Sequence, residues 1–229
     1  MLARIMKDGP RGTSFCRLWF MNQQRLMTIS VAAVIVVIAA FAIVPRFMAS
    51  QATGELDYAT NPRLGSVEAP VKVAIFFDFL CPHCATFSAQ ITPVLKQEFV
   101  DTGVAALYFV NFPVVNPVVS RDIATVGECV FDQGNDLFTE LEPIMMRAQS
   151  TLRSRADAVD FALAYAPGLD GGALRDCVAS SEAADAVTAD VAAATSFKIS
   201  GTPSVVVNDR LVTNPTLANI RAAINNAAN

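Results

Sequence analysis

The hydrophobic and polar positions of this chain fall into segments with different periods. Residues 28–44 form an apolar run with no charge, and residues 51–64, rich in Ala, Thr, Gly, Asn and Pro, read as a linker. Residues 71–79 are a largely apolar run of strand length. Residues 82–100 then carry Phe87, Ile91, Val94, Leu95 and Phe99 on one helical face, with a kink expected at Pro93. Residues 104–111 read as a second strand, apolar enough to be central and buried, and parallel to the first through a right-handed crossover. From about Val118 to Ser196 the signals are helical, with stops at Gly134, Pro167-Gly168 and Ser180-Ser181 and a capping-box-like Ser154-Arg155-Ala156-Asp157. A short β-like run, Ser204-Val205-Val206-Val207, turns at Asn208-Asp209 into Arg210-Leu211-Val212, and a closing helix is expected over 215–227. No internal repeat or low-complexity run is evident.

Charge orients the chain. Arg4, Lys7, Arg11, Arg17 and Arg25 stand against Asp8 alone before the apolar run, which has about the shortest length that spans a hydrocarbon core. The basic flank should stay in the cytoplasm and the remainder face outward. The expected organisation is a cytoplasmic basic segment 1–27, a transmembrane signal anchor 28–45, a linker 46–65 and a folded domain 66–229 with a helical insertion at about 117–197. Ala40-Phe41-Ala42 also fits a small-residue cleavage site, so a cleaved signal peptide is the alternative to the anchor. Trp19 reads either as an interfacial anchor or as a tail residue. Of the 17 Lys+Arg and 21 Asp+Glu, 12 and 20 lie from Thr28 onward, a net charge of −8. That acidic balance argues against nucleic acid as a partner.

The candidate chemistry is Cys81-Pro82-His83-Cys84, at the end of an apolar strand and the start of a helical pattern. Two cysteines so spaced at a strand-to-helix turn face each other across one helical turn, close enough to cycle between dithiol and disulfide. With Cys81 opening the helix, unpaired N–H groups and the helix dipole stabilise its thiolate. Pro82 costs nothing in a first turn, and His83 and the Cys84 backbone N–H are placed to add to that stabilisation. A dithiol stabilised in this way makes its disulfide a strong oxidant.

The Cys-Pro-His-Cys centre together with Gly201-Thr202-Pro203 and the Val-rich run after it resembles the DsbA-like branch of the thioredoxin superfamily. Further likeness lies in residues 65–71, in Phe77-Asp78-Phe79-Leu80 before the first cysteine, and in Asn111-Phe112-Pro113, covering about three quarters of the chain. The resemblance implies a thioredoxin-like α/β domain with an inserted helical lid. It implies a cis peptide bond at Pro203, beside the dithiol, and gives Thr202 and Pro203 the task of presenting backbone groups to a substrate. One departure is visible: the acid that DsbA proteins carry six positions before the first cysteine is here Ile75, and Asp78 is the expected substitute as proton acceptor. Matching cysteines in some DsbA-like proteins imply a second disulfide between Cys129 and Cys177. From the residues alone, two separately buried thiols serve as well. Cys16, in the cytoplasmic segment, is expected to stay reduced.

The implied function is a membrane-tethered thiol:disulfide oxidoreductase that introduces disulfides into exported proteins. Cys81 would be the attacked sulfur and Cys84 the resolving one. Expected partners are reduced exported proteins and a quinone-linked, DsbB-like membrane reoxidase; no bound cofactor or metal is expected, and the chain should be a monomer. The runner-up within redox enzymes is a reductase or isomerase, although isomerases of this superfamily usually dimerise through an added domain that the linker is too short to supply. From other classes stand a metal-binding chaperone, weakened by His83 being the sole histidine, a zinc site lacking a second CxxC, and a purely structural disulfide.

Overall fold

A computed structural model describes residues 54–229; the basic segment and the apolar run 28–45 lie outside the described residues. Among the described residues no helix is long and apolar enough to cross a membrane.

The two apolar runs become the central strands β2 (Val71–Phe77) and β3 (Ala105–Asn111), parallel and in register from Val71 opposite Ala105 to Phe77 opposite Asn111. Every residue of β3 is buried, as expected of a strand covered on both faces. The sheet is completed by β1 (Arg63–Leu64), β4 (Ser204–Val207) and β5 (Arg210–Leu211), in the order β1-β3-β2-β4-β5. β1 runs antiparallel to β3, and β4 antiparallel to β2 and to β5.

Alternation along the strands divides the core. Val73, Ile75 and Phe77 face the larger apolar cluster, shared with most of the helices. Ala74 and Phe76 face a smaller one with Val110, Val206, Ala194 and Phe197. The rings of Phe76 and Phe197 meet edge-on at 5.9 Å.

The helix expected over 82–100 forms in three pieces. These are α1 (Pro82–Gln90), α2 (Thr92–Leu95) and a π-helical turn (Lys96–Val100). Pro93 has no N–H to continue the ladder and breaks the rod where a kink was expected. The first strand ends at Phe77 rather than Phe79, because Asp78 begins the turn into α1.

Between β3 and β4 run α3 (Val119–Phe131), α4 (Asn135–Arg147), α5 (Arg155–Tyr165), α6 (Gly171–Ala179) and α7 (Glu182–Ser196); α8 (Leu217–Ala228) closes the chain. Ser154 caps α5 by accepting from the Asp157 N–H at 3.1 Å. A Cys129–Cys177 disulfide joins α3 to α6, and Arg155 pairs with Asp122 of α3. The architecture is a thioredoxin-like α/β domain with a helical insertion.

One boundary is corrected. Residues 57–64, taken as linker, belong to the domain: the Tyr58 ring packs on Tyr108 at 4.9 Å, its hydroxyl donates to Asp209 at 2.8 Å, and Arg63–Leu64 join the sheet. Two residues are too few for strand periodicity to show.

The insertion is pinned to the sheet through polar groups as well. Asn111, ending β3, donates its side-chain amide to Glu128 of α3 at 2.5 Å and to Asp190 of α7 at 3.1 Å, and its backbone N–H to Asp190 at 2.8 Å. Burial, with Asp190 close by, pushes the Glu128 carboxyl up to about 8; burial raises Asp190 to about 7.

Candidate active site

Cys81 is the N-cap of α1, with extended backbone angles and Pro82 in the first turn, so the helix begins where its sulfur lies. Cys84 sits one turn further in. Both are free thiols and both are buried, at 5% and 2% exposure, while Pro82 and His83 between them are exposed. The Cys81 thiol donates to the Thr202 carbonyl at 3.5 Å, and the Thr202–Pro203 peptide is cis. The Gly201–Ser204 loop is held by the Ser204 hydroxyl, which donates to the Gly201 carbonyl at 2.7 Å. Residues 121 positions apart thus meet because β4 pairs with β2, the strand that delivers the dithiol.

The two sulfurs differ in setting. Burial pushes the Cys84 thiol up to about 12, and the neighbouring Cys81 adds to this, while the Asp78 backbone and the Thr202 side chain pull it back. Cys81 stands at the N-cap of α1 with the helix N–H groups ahead of it, and Cys84 does not.

Asp78 requires a correction. It was expected to accept a proton in place of the acid missing at Ile75. Instead its carboxylate is occupied: one oxygen accepts from the Leu80 N–H at 2.8 Å, the other from the Val114 and Val115 N–H groups, both at 2.8 Å. The side chain is 2% exposed and ties the turn carrying Cys81 to the loop after β3. Val114, Val115 and Val118 of that region are themselves exposed apolar side chains. Asp78→Asn puts an NH2 against one of these N–H groups, and the expected cost is about 2–3 kcal/mol from lost charge-assisted bonds, read as a lowered urea midpoint.

Three residues at the site were not singled out by the sequence reading. Gln149, just after α4, donates its amide to the Phe79 and Cys81 carbonyls, both at 2.8 Å, bracing the loop from the opposite side. Glu142 of α4 is 4% exposed and accepts from the Ser88 hydroxyl of α1 at 3.0 Å. Glu142 and Ser88 line a cavity of about 10 Å³ with Cys84, Ile75, Met146 and Pro203. Burial pushes the Glu142 carboxyl up to about 7, against the opposing pull of Ser88 and Arg147.

Glu128, Asp190 and Glu142 make the fold sensitive to alkali. Their pKa values are raised on folding, so the folded chain keeps protons that the unfolded chain has lost above the usual carboxylate range. Stability is therefore greatest below that range and falls as pH rises through about 7 to 8. The expected result is a melting midpoint lower at pH 8.5 than at pH 5.5, and a smaller drop in Glu128→Gln.

A protein-family model described as thioredoxin matches residues 57–226. The chain is 33% identical over 172 residues to the probable disulfide bond formation protein D of Bacillus cereus, covering 73% of this chain and 78% of that one. It is similar to the crystal structure of oxidised BdbD from Bacillus subtilis, with TM-score 0.69, 25% identity, and coverage of 78% of this chain and 98% of the other. Chlamydia trachomatis DsbA shares the fold, at TM-score 0.65 and 22% identity over 75% of this chain and 92% of its own. A dithiol at a helix N-terminus beside a cis-proline loop, on this sheet and with these relatives, identifies the chain as a member of the thioredoxin family and a thiol:disulfide oxidoreductase of the DsbA type.

Proposed function

We propose that this enzyme donates disulfides to exported proteins, with Cys81 as the sulfur attacked by substrate and Cys84 as its resolving partner. The observation that carries this reading is the asymmetry of the pair. Cys81 lies at the helix tip against the Thr202 carbonyl, whereas Cys84 is one turn inside with its thiol pushed up by burial. A substrate thiolate attacks the Cys81 sulfur of the disulfide, a mixed disulfide forms, and a second substrate thiol displaces Cys81. Pro82 and His83 tune the pair from the intervening positions. Thr202 and Pro203, partly exposed beside Cys81, present backbone to an extended substrate segment, and Val114, Val115 and Val118 offer apolar surface nearby.

Residues 28–45 act as an uncleaved anchor in a bacterial cytoplasmic membrane, with the catalytic domain on the outer side. Their uncharged composition and basic flank support this. The resulting dithiol is reoxidised by a quinone-linked membrane partner. The test is the redox state of Cys81 and Cys84 in cells, trapped by acid and an alkylating mass tag. An oxidase shows the pair largely as disulfide, and a pair found mainly as dithiol overturns the reading in favour of a reductase. The reduction potential separates the same alternatives: about −120 mV is expected for a DsbA-like oxidant and about −270 mV for a thioredoxin-like reductant.

A further inference from the structure

Cys84 faces a chemical difficulty. To attack a mixed disulfide on Cys81 it must be a thiolate, yet burial holds its thiol up at about 12. Within the turn that carries the dithiol, the one carboxylate is Asp78, already occupied by three backbone N–H groups. Ile75, on the strand beneath, is apolar. A base has to come from elsewhere in the fold.

The cavity behind Cys84 supplies one. Glu142 reaches it from α4 of the helical insertion, and its carboxyl is oriented by the Ser88 hydroxyl. The volume of about 10 Å³ is that of a single water, and Cys84, Ser88 and Glu142 give such a water its polar partners. The titratable or charged groups that face Glu142 are Cys84 of α1 and Arg147 of its own helix, α4. The strands present Ile75, Phe77 and Phe109 to the same space.

We propose that Glu142 is the proton acceptor for Cys84, taking the thiol proton across the shared cavity as Cys84 attacks and returning it as Cys84 leaves. This rests on the roles of Cys81 and Cys84 given above. In the resolving direction the Cys84 S–H proton passes to the Glu142 carboxylate. The Cys84–Cys81 S–S bond forms, the bond from Cys81 to the other thiol breaks, and that thiol departs as thiolate with the electron pair. In the donating direction a substrate thiolate attacks Cys81, the Cys84 thiolate leaves, and the Glu142 carboxylic acid protonates it. A carboxyl raised to about 7 is available in both forms at neutral pH, which suits a group that must serve both directions.

The test uses the full-length chain carrying Cys16→Ser, reduced at Cys81 and Cys84 with the Cys129–Cys177 bond left intact, and an aromatic disulfide that releases a coloured thiolate. A first equivalent appears as Cys81 forms the mixed disulfide, and a second as Cys84 resolves it, followed by stopped flow from pH 5 to 9. In the wild type the second phase accelerates through about pH 7 as Glu142 ionises. In Glu142→Gln, which keeps an oxygen for Ser88, that inflection disappears and the phase slows roughly a hundredfold at neutral pH. In Ser88→Ala, which loses the bond that favours the carboxylate, the inflection moves to higher pH. This variant decides the matter alone if Glu142→Gln does not fold. A second phase with wild-type rate and pH profile in either variant overturns the role of Glu142. Failure of the wild type to release two equivalents overturns the reading of the dithiol instead.

Discussion

Replacing Cys81 with Ser reduces disulfide transfer to a reduced, unfolded substrate to the uncatalysed background, while Cys84→Ser accumulates stable mixed disulfides on Cys81. The contrast follows from position. A serine hydroxyl forms no S–S bond, and the remaining Cys84 is 2% exposed, one turn inside α1, with its thiol pushed up to about 12. Cys84 is then a poor nucleophile, out of reach of a folded or extended chain. When Cys84 is the residue removed, the sulfur beside the Thr202 carbonyl persists and the mixed disulfide has no internal thiol to resolve it. Non-reducing electrophoresis after alkylation reads both outcomes. Mixed disulfides in Cys81→Ser and none in Cys84→Ser would exchange the two assignments.

The second large effect is on stability. Removing the Cys129–Cys177 bond by the double change to Ala costs about 4 kcal/mol by chain entropy, because the bond closes a loop of sequence separation 48. For a domain of this size that is a fall in melting midpoint of about 10 °C. The bond joins α3 to α6, and neither of its sulfurs lines the cavity beside Cys84, so disulfide exchange by Cys81 should persist below the new midpoint. Calorimetry of the oxidised wild type and the double variant checks the first part, and the exchange assay checks the second. A midpoint unchanged to within a degree would mean that the α3–α6 packing holds the loop without the bond.

How much of this was legible in the sequence differs by residue. The apolar runs over 71–79 and 104–111 read as buried parallel strands because a strand covered on both faces needs no alternation. The dithiol read as a site because its chemistry is carried by residue type at short spacing, whereas Thr202-Pro203 joined it only through the resemblance to DsbA-like proteins. Arg63–Leu64 were hidden, since two residues show no period. Asp78 was legible as important but not in its task, because its three donors come from Leu80, Val114 and Val115, and the last two are brought in by a neighbouring strand. Glu142 and Gln149 lie on or beside α4, more than fifty residues from Cys84, and only the docking of that helix against α1 makes them neighbours. The trace Glu142 left was a lone acid among Phe138, Leu141, Met145 and Met146 on the apolar face of α4.

The side chain of Asn135 has a consequence for association. Its amide donates to the Arg63 carbonyl at 2.9 Å and its oxygen accepts from the Arg63 N–H at 2.8 Å, so it occupies the backbone groups that β1 turns away from β3. The opposite border is β5, two residues long. A sheet with one margin sealed by an amide and the other too short to template a strand resists the edge-to-edge pairing through which β-rich proteins aggregate. In the disulfide-donating role proposed above, such edges keep extended, unfolded chains from pairing along the sheet.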